Sequence, residues 1–265
     1  YCNDCVGNYG WTGVQRGCGR GRFSAFLIYL VNLYARSTHL FNLVDNFVAV
    51  SDFIRNNHIQ SGFPESKLIV NNNGIDIDQI KYILDKNLQK NRLGIAFAGR
   101  ISVAKGSDVL KYVIPVIKQP FHIIGDGPNS NDLKQFCKEN SYKHVVFWGK
   151  QSREKTLEIL NTVVCTIIPS QCGESFSMVA AESMALGVPV VASDLGGLSD
   201  LVKAGGGVVV NSRKFNQFNE AILRYIEHPS LAKEHGKSGQ RYVFKYLSNE
   251  VRSEVSIDNY KKLTN

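Results

Sequence analysis

The feature that most constrains this chain is a rhythm that begins at Gly94. Short apolar runs alternate with stretches of helical periodicity. Strands are expected over 95–98, 121–124, 144–147, 163–168, 189–192 and 207–210, and helices over 107–117, 131–139, 153–160 and 177–186. Strands alternating with helices of roughly 10–15 residues specify a parallel sheet covered on both faces. The fold class is therefore α/β, a Rossmann-like doubly wound parallel sheet. Ligands of such sheets bind outside the carboxyl ends of the strands, so the residues just after strands carry the functional information.

The residues before Gly94 follow a different plan. Residues 1–22 are rich in Gly, Cys and Arg and read as loop, and 23–44 carry apolar residues at helical spacing. A strand over 47–50, a helix over 52–61 broken by Gly62 and Pro64, a strand over 67–70 and the turn cluster 71–74 follow. One and a half βα units are too little for a sheet of their own. They imply a domain whose beginning lies before Tyr1, which reads as a cut boundary. The apolar stretch 23–35 is interrupted by Asn32 and followed by Arg36 and His39. A membrane span needs about 20 largely apolar residues, so a buried helix is expected here.

A net charge of +8 favours an anionic partner, with nucleic acid, an anionic membrane surface and a phosphorylated substrate all eligible. Lys and Arg are spread along the chain and the aromatics sit in core patterns, which argues against nucleic acid. Of the six cysteines, Cys137 and Cys165 fall in apolar patterns where buried free thiols are usual. Cys2, Cys5 and Cys18 supply three candidate zinc ligands, but no histidine nearby completes a tetrahedral set. A reduced, cytoplasmic chain is the expectation, with peripheral membrane contact as an alternative.

Two motifs carry chemistry. The strand over 95–98 runs into Gly99-Arg100, and Lys105-Gly106 follows. A planar guanidinium, a compact ammonium and the N–H groups of a helix start together make a diphosphate site; two solvated surface cations are the plainer reading. In the stretch 169–182, Glu174 follows a strand and Glu182 is expected about two turns into the next helix. The amides of Ser177, Met178 and Val179 are first-turn donors able to hold phosphate. A carboxylate suits a pair of vicinal ribose hydroxyls, against helix capping for Glu174 and a surface ion pair for Glu182. Eight helical residues span about 12 Å, more than the roughly 5–9.5 Å between the carboxyls of glycosidases. The pair therefore reads as ligands rather than a hydrolytic dyad. Charge building on a diphosphate leaving group is met electrostatically by such cations and amides, and no carboxylate cluster is spaced to hold Mg²⁺. No cofactor or metal is expected.

The order of Gly99-Arg100, Lys105-Gly106, Gly125-Asp126-Gly127-Pro128, Val145-Val146-Phe147-Trp148-Gly149, Glu174 to Glu182, the run 184–191 and Gly196-Gly197 resembles glycosyltransferase family 4, of the GT-B fold. The likeness is dense over 94 to about 210 and looser through Val48-Ala49-Val50-Ser51 and Asn73-Gly74-Ile75-Asp76. It implies a remnant of an acceptor domain with its hinge over 1–80, a donor domain over 81–240 and a C-terminal helix over 241–265 returning toward the acceptor domain. By position it implies Arg100 and Lys105 on the donor diphosphate, Glu174 facing the donor sugar and Glu182 on the ribose. Ser177 through Val179 become the amide cradle, and Gly149-Lys150 border the base. Ser177 stands where the family usually has Gly. The resemblance also implies transfer with retention from a nucleotide sugar, a UDP-sugar first, to a glycan, lipid-linked or protein acceptor, as in polysaccharide biosynthesis. The family's amino-terminal Gly-rich loop and acceptor-side His find no match; His39 and His58 fall in helical segments and read as surface or packing residues.

Three other readings compete. A dinucleotide-binding dehydrogenase would use Gly125-Asp126-Gly127, but Ser130 replaces the third glycine and the acidic ribose ligand is missing. A sugar-nucleotide epimerase shares the architecture without this Arg/Lys and Glu/Glu combination. A binding domain without catalysis keeps the same donor residues.

Overall fold

The computed structural model describes residues 3–7, 10–38, 40–86 and 92–264. Contacts divide the chain into two units, residues 1–72 with 254–265, and residues 73–253.

In the first unit, α1 (Trp11–Arg16) and α2 (Arg22–Ser37) precede β1 (Phe47–Ala49), α3 (Asp52–Gln60) and β2 (Leu68–Val70). β1 and β2 pair in parallel, with Val48 opposite Ile69. Ser51 caps α3 through its side chain, which accepts from the Ile54 amide. The expected loop over 1–22 contains α1, a single short helix that the glycines at 10, 13 and 17 hide in the sequence. The expected buried helix is not buried: α2 exposes Phe23, Ile28, Val31 and Tyr34. No helix among the described residues is long and apolar enough to cross a membrane.

The second unit holds α4 (Ile77–Asp85), β3 (Ile95–Ala98), α5 (Ser107–Val113), β4 (Phe121–Ile124), α6 (Ser130–Glu139), β5 (Val145–Gly149), α7 (Arg153–Leu160), β6 (Cys165–Ile168) and α8 (Met178–Ala185). It continues with β7 (Val190–Ser193), α9 (Gly197–Lys203), β8 (Gly207–Val210), α10 (Phe215–Glu227) and α11 (Pro229–Tyr246); α12 (Asn249–Thr264) carries residues of both units. All six strands are parallel, in the order β5-β4-β3-β6-β7-β8. β3, β6 and β7 are buried along their whole length, as central strands covered on both faces must be. Their side chains join Val109, Leu110, Phe121, Leu133, Phe218 and Tyr225 in one core. Burial pushes the Cys137 and Cys165 thiols up, to about 11 and about 12, which leaves them unreactive packing groups.

From β3 the chain winds outward through β4 and β5, and then returns to lay β6, β7 and β8 on the other side of β3. The strand order therefore reverses between β3 and β6. Loops leaving adjacent strands in opposite directions open a crevice at their carboxyl ends, and this is where a ligand of such a sheet is expected.

Candidate active site

The loops after β3 and β6 meet at that reversal. Val103–Lys105 forms a 3-10 turn leading into α5 through Gly106. Gly106 sits at φ +87°, and a side-chain carbon there would lie 2.1 Å from the Pro169 carbonyl oxygen, so only glycine lets the two loops touch. The amide of Gln171 donates to the Ala104 carbonyl at 2.9 Å and ties the loops further. Behind them, the Gly197 amide donates to the Glu174 carbonyl at 2.8 Å. Gly196, at φ +69°, lets that loop approach the Glu174 backbone. The Gly-Gly pair thus supports the strand-to-helix connection.

A cavity of about 180 Å³ occupies the crevice, walled by Gly99, Lys105, Ser170, Glu174, Ser177, Met178 and Val179, with Phe97, Ala98 and Ile168 at its base. Lys105 Nζ lies 2.9 Å from Glu174 Oε1. The Ser170 hydroxyl, wholly buried, donates to the same Glu174 oxygen. Ser177 is the N-cap of α8 at φ +86° and ψ +91°, a backbone state that side chains other than hydrogen rarely adopt, and its side chain makes no capping bond. The first-turn amides of α8 therefore face the cavity without a side-chain cap, at the positive end of the helix dipole. An ammonium and these amides present positive potential to one small volume, next to a carboxylate able to accept from hydroxyls. This arrangement suits a phosphorylated, hydroxyl-bearing ligand.

Of the residues expected to form the site, the structure brings Lys105, Glu174, Ser177, Met178 and Val179 into this wall. Arg100 is exposed on the loop directly after β3, outside the cavity lining, with no ion pair to a described residue. Gly149 ends the edge strand β5, and exposed Lys150 follows it, also outside the lining. Glu182 is likewise outside. Because α8 begins at Met178, Glu182 lies just over one turn into the helix rather than the expected two. It shares a helix face with Met178 and Val179, four and three residues earlier. Nor is it a surface residue: Glu182 is buried, and its Oε1 accepts from Arg153 Nε at 2.8 Å. Burial raises its pKa, opposed by the charge and hydrogen bond of Arg153.

Two residues escaped the sequence reading. Ser170 lies inside the quoted motif, but its hydrogen bond to Glu174 needs the loop geometry. Arg153 opens α7, and only the packing of α7 on α8 brings it to Glu182.

In the Gly125–Gly127 loop, Asp126 Oδ1 accepts from the Gly127 amide at 2.8 Å and the Ser130 hydroxyl at 2.5 Å, which lowers its pKa and closes the loop on itself. The dehydrogenase reading gains nothing from it. Cys5 and Cys18 flank Gly13, but Cys2 lies outside the described residues. Among the described residues no group of three or more His, Cys, Asp or Glu is disposed to hold a metal. His39 also lies outside the described residues. His58 serves packing, with Nδ1 2.7 Å from the Ile54 carbonyl oxygen and its ring on the edge of Phe63.

The family model for glycosyl transferases group 1 matches residues 78–242. An uncharacterized glycosyltransferase of Methanocaldococcus jannaschii is 29% identical over 203 residues, covering 76% of this chain and 55% of that protein. A D-inositol 3-phosphate glycosyltransferase of Mycobacterium marinum is 32% identical over 136 residues, 48% of this chain and 29% of that one. The chain thus spans about half the length of the first of these relatives. Among solved structures, Anabaena HepE in complex with UDP superposes with a TM-score of 0.74 at 19% identity, covering 87% of this chain and 68% of that one. Its match shows the GT-B fold.

Proposed function

Since this chain belongs to the group 1 glycosyl transferases, we propose that it forms the donor half of an enzyme that moves a sugar from a nucleoside diphosphate to an acceptor. The observation that carries this reading is the convergence of Lys105, Glu174 and the amide end of α8 on one cavity at the β3/β6 reversal. UDP is the nucleotide favoured, because HepE was solved with UDP and with UDP-glucose. A glycan, a lipid-linked saccharide or a protein serves as acceptor, and the anomeric configuration is retained.

On this reading the diphosphate lies across the α8 amides and draws Lys105 toward it, with Arg100 reaching in from the rim. As the bond from the anomeric carbon to the diphosphate breaks, its electrons stay on the phosphate oxygen, while the acceptor hydroxyl oxygen bonds to the anomeric carbon and its proton passes to the departing diphosphate. Once donor binding has brought Lys105 onto the diphosphate, it and the amides stabilise that growing charge with no further rearrangement during the reaction. Glu174 accepts from hydroxyls of the transferred sugar, Glu182 from the ribose, and Gly149-Lys150 border the base. Protein groups meet the charge, so no resident metal is assigned to the site.

A thermal-shift series with UDP-, GDP- and ADP-glucose tests the proposal. At a ligand concentration about 100 times Kd, binding adds about 2.7 kcal/mol, or roughly 5–10 °C for a chain of this size. UDP-glucose is expected to give the largest shift. A flat response to all three would overturn the assignment.

A further inference from the structure

Glu174 is held by two partners in the structure. Its Oε1 takes both the Lys105 ammonium, at 2.9 Å, and the Ser170 hydroxyl. The two partners differ in freedom. Lys105 is 37% exposed on a long flexible stem, at the edge of the cavity, whereas Ser170 is entirely buried in the loop two residues past β6. An arriving diphosphate carries more negative charge than one carboxylate and offers several oxygens, so it competes for the ammonium. Ser170 has no such route: its short side chain leaves its oxygen beside Glu174 whatever Lys105 does.

We propose that Ser170 is a positioning residue, the fixed anchor that keeps Glu174 aimed into the cavity once the donor has drawn Lys105 away. The proposal rests on the function assigned above and adds a division of labour to it. Lys105 is exchanged between carboxylate and diphosphate, and Ser170 is not. Without the hydroxyl, Glu174 in the loaded site would lose both partners at once. It would then turn toward water or follow Lys105, and its contact with the sugar would loosen.

The test uses the full-length protein, with UDP and UDP-glucose as probes. In a crystal structure with UDP, Lys105 Nζ should lie on the diphosphate while the Ser170 oxygen stays about 2.7 Å from Glu174. S170A should bind UDP within twofold of wild type and melt within a few degrees of it. It should lower kcat for glucose release from UDP-glucose by about tenfold with KM nearly unchanged, roughly the worth of one hydrogen bond to a charged group. S170C, of similar size and with a weak donor, should fall between, and S170A should add no further loss in an E174Q background. Wild-type protein that binds no UDP would remove the functional assignment itself. If UDP binds, three results would overturn the anchor alone: Ser170 turned away in the complex, S170A kinetics equal to wild type, or equal losses for UDP and UDP-glucose with a collapsed Tm.

Discussion

At the scale of single residues, Glu182 shows how function and stability conflict in this site. Its carboxyl is buried beside one guanidinium, and burial is the larger influence, so the fold holds its proton more tightly than the unfolded chain does. A carboxyl with a raised folded pKa costs stability as pH climbs above the ordinary carboxylate range toward that raised value. E182Q should therefore gain Tm relative to wild type as pH rises from acid to neutral, partly offset by the weakened Arg153 contact. Melting curves across that range check the sign. The same variant should lose more affinity for UDP than for deoxy-UDP, which lacks the 2′-hydroxyl that one of the two contacts needs; equal losses would remove Glu182 from the ribose. The sequence announced Glu174 and Lys105, since residue type and position after a strand sufficed to find them. Ser170 and Arg153 were hidden, because a hydrogen bond across a loop and an ion pair between two helices depend on packing that no spacing rule encodes.

At the scale of elements, α8 is the working part, and both of its ends are unusual. Its N-cap, Ser177, occupies a glycine-like backbone state with φ +86°. Such strain costs about 1–3 kcal/mol, while glycine adds back about 0.5–1 kcal/mol of chain entropy in the unfolded state. S177G should therefore stabilise the protein by about 1 kcal/mol, a rise of roughly 2–4 °C; an unchanged or lower Tm would show that the backbone relaxes there. At the other end, Arg92 donates to the Leu186 and Gly187 carbonyls and to both the backbone and side-chain oxygens of Asn161. It completes the helix C-terminus where a cation is favoured. R92M would leave buried carbonyls unpaired at about 1–3 kcal/mol each, and urea unfolding should show a loss of about 2–4 kcal/mol. From Gly94 onward the strands and helices α5 to α8 were legible because apolar runs and breakers punctuate them. Helices α4, α9, α10 and α11 went unassigned, and α1 was masked by glycines that the short helix tolerates.

At the scale of the whole molecule, the order of strands does what no single motif could. Reversal of the winding between β3 and β6 turns two ordinary βα loops toward each other and places a cation, a carboxylate and a helix terminus around one cavity. The alternation in the sequence foretold the parallel sheet, and the rule that ligands sit beyond strand ends foretold which loops to read. It did not foretell that Arg100, Gly149, Lys150 and Glu182 would stand outside the cavity wall, since side-chain reach and helix start are set by local packing. The central claim is that Lys105 and the α8 amides hold a diphosphate. Calorimetric titration of UDP and of uridine into wild-type and K105A protein tests it most directly. Loss of one charge-assisted contact is expected to weaken UDP about 10- to 100-fold and to leave uridine within twofold. Equal weakening of both ligands, or none of either, would contradict it.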